Sequence, residues 1–219
     1  MFTGKFTVRI VLWLLVLIFT GCASMSTMQT ARVTEKGKFD YLVDGGFSHY
    51  VTPQSPTDFL NSFRFAELGV RYGVSDHLDA GLKINSGFTM LLDLKYQLLG
   101  DKNSILAGSV GLGGSYMSFK FEDARTRQYH ALLPFYFSYH PVDWISLYCS
   151  PKYIFEISNN YDFKTNEGDI GFSHWYGASG GIRIGKRIAF LAEYSLFGKN
   201  NGTAPFSQIT CGLAFCFYK

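Results

Sequence analysis

The sequence predicts an all-β fold: a ten-stranded antiparallel up-and-down transmembrane β-barrel, preceded by a cleaved signal peptide and a short tether. Three observations support this prediction. From residue 37 onward, bulky apolar residues alternate with small or charged ones, which is the period of a β-strand. Phe (21), Tyr (14) and Gly (23) are abundant and Pro (6) is scarce, as in strands joined by tight turns. Charged residues make up 17% of the chain, against roughly 25% in an average globular protein.

The same composition excludes several classes of protein. A chain that is 47% hydrophobic has ample apolar surface to bury, so it is not intrinsically disordered. No stretch after residue 22 keeps about 18 apolar residues in a row, which excludes a bundle of membrane helices. The net charge of +3 is small and dispersed, so we expect no nucleic-acid partner.

Ten segments carry the alternation, and in each of them one set of alternate positions is bulky and uncharged while the other set is small or charged. Phe39, Tyr41 and Val43 illustrate the first set, and Asp40 and Asp44 the second. The predicted strands are 37–48, 63–74, 78–85, 87–99, 104–117, 128–140, 144–157, 175–185, 188–197 and 208–218.

Two kinds of barrel would produce this alternation. A soluble lipocalin-like barrel turns the bulky set inward, whereas a transmembrane barrel turns it outward to lipid. A barrel of about ten strands has interior room for little more than ordinary side chains, so dozens of Phe, Tyr, Leu and Ile side chains do not fit inside. Glycines also suit a crowded lumen better than a solvent-facing surface. We therefore expect the bulky set to face lipid.

The connection lengths alternate as well. Those after strands two, four, six and eight are short, and those after strands one, five, seven and nine are long; residue 86, after strand three, breaks the pattern. Bacterial single-chain barrels have an even strand count, short periplasmic turns and longer external loops. Ten strands would then place both chain termini in the periplasm.

The N-terminal region has the features of a targeting segment. Lys5 and Arg9 precede ten unbroken apolar residues, 10–19, which is a secretory signal layout too short to span a bilayer comfortably. The following Thr20-Gly21-Cys22-Ala23 resembles the bacterial lipobox. That resemblance implies cleavage after Gly21 and a lipid on Cys22. We therefore assign residues 1–21 to a lipoprotein signal peptide, 22–36 to a lipidated tether and 37–219 to the barrel. The tether reaches at most about 50 Å, enough for its lipid to enter the inner leaflet beside the barrel.

The barrel region itself resembles the superfamily of small bacterial outer-membrane β-barrels. The segment 70–82 looks like their short periplasmic hairpins, and the aromatic end at 213–219 is similar to their C-terminal assembly signal. The resemblance implies contact with outer-membrane lipids through the barrel exterior and through acylated Cys22. It also implies handling by the barrel-assembly and lipoprotein-processing machineries. Neither motif defines an activity.

Charges on the inward set predict a network that seals the lumen. With Ile84 opposite Met90 and Val74 opposite Leu78, the expected register places acidic and basic residues next to each other across strands two to four. Mixed signs favour pairing, since a selective pore concentrates one sign. The expected network has two branches: Glu67, Lys83 and Asp93 in one, and Arg71, Asp79 and Lys95 in the other.

We found little in the sequence that indicates catalysis or metal binding. His49, His130 and His174 lie near the predicted external rim, but scattered rim histidines are usually interfacial polar groups. The acidic and amide residues between 159 and 169 do not have EF-hand spacing. Cys149, Cys211 and Cys216 show no metal or redox pattern, and we expect them to act as small apolar fillers. We therefore expect no catalytic residue, metal or cofactor.

The sequence thus predicts a lipid-anchored integral outer-membrane barrel with a structural or surface-interaction role and a charge-sealed lumen. A narrow outer-membrane channel is the alternative, because the same inward charges suit an ion path. An outer-membrane lipid esterase or protease, or a soluble lipid-binding barrel, comes third. The extracellular ligand cannot be read from the sequence.

Overall fold

The computed structural model describes residues 25–51, 63–101, 103–120, 124–200 and 202–216. They form ten strands, each antiparallel to its two neighbours. The strands are β1 Phe39–Tyr50, β2 Phe63–Gly73, β3 Leu78–Asn85, β4 Met90–Leu99, β5 Leu106–Lys120, β6 Ala124–Val142, β7 Ile145–Asp162, β8 Glu167–Gly185, β9 Ile188–Lys199 and β10 Phe206–Cys216.

Pairing of the first and last strands closes the sheet. β1 pairs with β10 from Asp40 opposite Cys216 to Tyr50 opposite Phe206, and every other strand pairs with its neighbours in sequence. A closed sheet has no edge with unpaired N–H and C=O groups. The predicted ten-stranded up-and-down barrel is confirmed. The predicted signal peptide, residues 1–21, and the lipid site Cys22 lie outside the described residues.

The two faces of the sheet are as the alternation predicts. Bulky residues project outward, with Leu68 62% and Leu112 64% exposed, whereas inward-facing Asp79 and Lys95 are at most 2% exposed. An apolar exterior around a polar interior is the arrangement of a transmembrane barrel. In the described part of the chain, no helix is long and apolar enough to cross a membrane.

The two ends of the barrel differ. At one end, called here the short-turn end, the connections are 74–77, 100–105, 143–144 and 186–187. Gly100 has φ +75°, and a Cβ there would lie 2.3 Å from the Leu106 carbonyl oxygen, so this tight turn requires glycine. In the same turn the Asn103 N–H and the Ser104 hydroxyl donate to Asp101, which lowers the pKa of that exposed carboxyl.

At the opposite, long-loop end, β6, β7 and β8 extend much further than predicted. They have 19, 18 and 19 residues, and β8 begins at Glu167 instead of 175. Pairing of Asn160 with Asp169 and of Asp162 with Glu167 turns most of the expected loop into a hairpin. These residues are largely polar, so they give no apolar alternation from which strands could be predicted.

Candidate functional site

The lumen contains all six residues of the predicted charge network. The strand registers are the expected ones: Asp79 lies opposite Lys95, and Glu67 and Arg71 lie diagonal to Lys83 and Asp79. Such positions are 5–8 Å apart at Cβ in general, which long basic side chains can bridge.

Arg71 joins the two expected branches. Its guanidinium lies 2.5 Å from Asp79 Oδ1 and 2.9 Å from Asp93 Oδ2. Lys95 lies 3.3 Å from the other Asp79 oxygen. A planar guanidinium presents several N–H donors in fixed directions, so it can bind two carboxylates at once. These four residues form one continuous cluster of alternating charge.

The contacts of Lys83 and Glu67 differ in part from those that the sequence predicts. Lys83 Nζ lies 2.8 Å from Glu67, as the register suggested, but it does not pair with Asp93, which Arg71 has taken. Instead Lys83 donates to the carbonyl oxygens of Ser26 and Thr27. Those carbonyls belong to the segment that the sequence assigned to a tether.

That segment runs through the barrel. Residues 25–35, called here the lumen segment, contact inward-facing side chains of strands all around the wall. At the long-loop end, Met25 N–H donates to Gln208 of β10. At the short-turn end, Thr34 N–H donates to Asp79 of β3, and Lys36 forms a parallel bridge with Gly73. The sequence predicts no such path, because residues 23–36 have no periodicity.

Charged wall residues satisfy the backbone of the lumen segment. The Glu193 carboxylate accepts the N–H groups of Thr27 and Met28 at 2.7 and 2.6 Å. Lys152 donates to the Met25 carbonyl, and Lys95 donates to the carbonyls of Thr30 and Arg32. Backbone buried inside the barrel needs such partners, because an unpaired buried N–H or C=O group is costly.

Apolar contacts complete the packing. Met28 is buried against Tyr148, Leu191 and Ala214. Met25 packs on a second cluster near the long-loop end, formed by Ile154, Trp175, Phe197 and Phe206. The sequence predicted only small or charged residues on the inward face, and these bulky inward side chains correct that prediction. They fill space beside the lumen segment, and their inward positions are the signal in the sequence from which an occupied lumen could have been predicted.

Histidines in the lumen each contact a hydroxyl. Ser115 Oγ lies 2.9 Å from His130 Nδ1, and His130 Nε2 lies 3.4 Å from Glu156 Oε2. At the short-turn end, His140 lies between the hydroxyls of Ser138 and Ser146, at 2.8 and 2.7 Å.

The described residues contain no group of three His, Cys, Asp or Glu side chains suited to hold a metal ion. The three cysteines in this part of the chain are free: Cys149 and Cys211 are exposed on the outer face, and Cys216 is buried. Arg183 lies 3.3 Å from the Cys216 sulfur.

Comparison with known proteins places the chain in a family. Residues 21–216 match the model described as a membrane bound beta barrel domain (DUF5777). The chain belongs to this family. Membership agrees with the closed sheet and its apolar outer face. A comparison with curated proteins found no match.

Solved barrels from bacteria are similar in architecture. The attachment invasion locus protein Ail of Yersinia pestis is 9% identical, with 83% of this chain and 99% of that chain covered and a TM-score of 0.44. Neisserial surface protein A is 9% identical, with 82% and 97% covered and a TM-score of 0.42. The outer membrane protease OmpT of Escherichia coli is 12% identical, with 83% and 94% covered and a TM-score of 0.45. Similarity at this level carries no information about activity.

Proposed function

We propose that this protein is a lipid-anchored integral outer-membrane barrel with a structural or surface-interaction role, and that its own N-terminal segment closes the lumen. The observation that carries the proposal is the occupied lumen: residues 25–35 run between the two ends of the barrel and bond to its charged wall. Because most of the wall charges bond to each other or to this segment, we infer that no continuous ion path remains.

Orientation follows from the connection lengths. With short turns on the periplasmic side, the long-loop end faces the cell exterior. The extended ends of β6, β7 and β8 then project outward, and Arg125, Arg127, Tyr161 and Phe163 line a shared recess there. This projecting sheet is the part of the barrel that we assign to surface interaction. Lipids of the outer membrane contact the apolar exterior, and the barrel-assembly machinery inserts it.

The lipid anchor depends on Cys22, which lies outside the described residues. The sequence suggested that its acyl groups enter the inner leaflet beside the barrel. The lumen segment favours a position at the opposite end of the barrel, because Met25 lies near the long-loop end and is only three Cα–Cα steps from Cys22. Such a stretch spans at most about 11 Å. We therefore place the lipid at the external mouth of the barrel.

Planar-bilayer recording tests the closed lumen. The purified wild-type protein should show no stable conductance, whereas a variant lacking residues 26–34 should show reproducible unitary steps. A second variant, with 26–34 replaced by a Gly/Ser stretch of equal length, serves if the deletion does not fold. Replacing residues 163–166 in the same way is the matched control and should stay silent.

The contrary results are equally clear. Unitary steps from the wild type would favour the alternative function, a narrow channel. One structural observation supports a channel: the lumen segment is held by hydrogen bonds and packing, so it can be displaced without breaking the barrel. Silence from both folded variants would show that the lumen segment is not what closes the lumen.

A further inference from the structure

A row of three side chains on the lumen wall has the composition of a hydrolytic site. Ser115 on β5 lies directly opposite His130 on β6, and His130 lies directly opposite Glu156 on β7. A hydroxyl bonded to an imidazole whose other nitrogen meets a carboxylate is the arrangement that activates serine as a nucleophile. We propose that Ser115, His130 and Glu156 form a site that hydrolyses carboxylic esters with a short acyl chain.

The carboxylate is fixed in place by two further donors. Trp175 Nε1 donates to Glu156 Oε2 at 3.0 Å, and Lys199 Nζ lies 3.1 Å from Oε1. Glu156 is therefore held facing His130, and it fixes the ring so that Nδ1 faces Ser115. In this arrangement Ser115 and His130 act on the substrate, and Glu156 positions His130.

A small cavity lies in front of the serine. Ser115 and His130 line it together with apolar Leu91, Leu132, Ile154 and Met25, and the Glu67–Lys83 ion pair and Asn85 line it as well. A cavity that combines apolar side chains with convergent polar groups is typical of a site for small organic ligands. The limited space restricts the acyl chain to a few carbons.

A donor for the developing negative charge is present in the same cavity. Thr89 lines it, is buried, and its hydroxyl has no hydrogen-bond partner among the described residues. Thr27, Ser150 and Thr210 also have unpartnered hydroxyls, but of these four described residues Thr89 alone lines the cavity with Ser115 and His130. A donor prepared in this way stabilises the oxyanion of a tetrahedral intermediate.

The reaction balances with water as the second substrate. Ser115 Oγ attacks the ester carbonyl carbon while its proton passes to His130 Nδ1. Collapse of the intermediate breaks the bond to the alcohol, which leaves with that proton, and the acyl group stays on Ser115. Water then attacks the acyl carbon, giving one proton to His130, and the carboxylic acid leaves as Ser115 recovers its proton.

His140 shows what a structural histidine looks like in the same barrel. Its ring lies between the hydroxyls of Ser138 and Ser146, with no carboxylate bonded to it among the described residues. The pair formed by His140 and Ser146 is therefore a matched control for the pair formed by His130 and Ser115.

Labelling with a fluorophosphonate tests the proposal on the full-length folded protein. Peptide mass spectrometry should find one adduct, on Ser115, and incubation with p-nitrophenyl acetate should leave an acetyl group on the same residue. In His130→Gln the rate of both reactions should fall by about 10²–10⁴-fold, the usual contribution of a general base. Ser146→Ala should react as the wild type does.

The wild-type measurement decides the question even if a variant does not fold. No adduct on Ser115, or adducts spread over several hydroxyls, would overturn the proposal. It would also be overturned if folded Ser115→Ala retained the wild-type rate of ester hydrolysis. Closure of the lumen is measured separately by conductance, so the closed lumen and the hydrolytic site can each be refuted without the other.

Discussion

Asp79 has three polar partners in the lumen. It accepts hydrogen bonds from Arg71 and from the Thr34 N–H, and it lies 3.3 Å from Lys95. It is fully buried, Lys95 and Thr34 are buried as well, and the Arg71 side chain is 13% exposed. Removing one partner of a buried ion pair leaves the other charge without compensation, which typically costs about 3–5 kcal/mol.

We expect Asp79→Ala and Lys95→Ala each to cost stability in that range, because each leaves an opposite charge buried. The double variant should lose clearly less than the sum of the two, since neither orphan charge remains between them. The measurement is the free energy of unfolding in denaturant, followed by the migration shift between folded and boiled protein on SDS gels.

An exposed ion pair provides the control for this cycle. Lys186 and Asp143 lie 3.2 Å apart at the short-turn end, with side chains 62% and 84% exposed. Solvent screens such pairs, so the Asp143→Ala variant should unfold almost as the wild type does. Additive losses at Asp79 and Lys95 would contradict the pairing of these two residues in the folded lumen.

At the residue level, alternation and turn positions were enough to predict which charges face inward and which lie across from each other. They were not enough to predict the hydrogen-bond partners. Arg71 reaches both Asp79 and Asp93, while Lys83 turns to Glu67 and to two backbone carbonyls. Several neighbours lie within reach of a long side chain, and the choice depends on what else occupies the lumen.

Among the elements, the lumen segment depends most on a few wall residues. Glu193 accepts two of its N–H groups, those of Thr27 and Met28, and the same carboxylate also accepts the Ser195 hydroxyl. Hydrogen bonds to a charged group contribute roughly 1.5–3 kcal/mol each. One side chain therefore holds the segment at mid-lumen.

We expect Glu193→Gln to loosen the lumen segment without opening the barrel, because the amide is a weaker acceptor. Hydrogen exchange at Thr27 and Met28 should accelerate by about tenfold or more, the change expected for a loss of 1.4 kcal/mol. Exchange in β6–β8 should not change. Glu167→Gln, at an exposed position in the β7–β8 hairpin, is the control and should leave exchange at Thr27 and Met28 at the wild-type rate.

Unchanged exchange in Glu193→Gln would contradict the role given to this carboxylate.

The lumen segment could not be predicted as part of the lumen because residues 23–36 have no periodicity. Their small polar side chains suit a tether as well as an extended chain inside a polar tube. The β7–β8 hairpin was missed for a related reason, since strands that project beyond the membrane need no apolar face.

On the scale of the whole molecule, the fold was predictable because a single physical contrast, lipid outside and a crowded lumen inside, determines residue choice along all ten strands. The direction of the lumen segment was not, because nothing in its composition distinguishes its ends. That direction decides at which end of the barrel a lipid on the N-terminal cysteine, as we propose it, would meet the membrane.

The last prediction concerns this leaflet. Cys22→Ser should abolish metabolic labelling with palmitate, because a lipobox lipid is attached through that sulfur. A peptide tag placed between Cys22 and Met25 should bind antibody on intact cells, since Met25 lies near the long-loop end. The same tag in the turn after β2, at residues 75–76, should bind only after the outer membrane is permeabilised.

Palmitate retained in Cys22→Ser would refute lipidation at this cysteine. An N-terminal tag that also needs permeabilisation would place the lipid in the inner leaflet, and would mean that the lumen segment does not run toward the cell exterior.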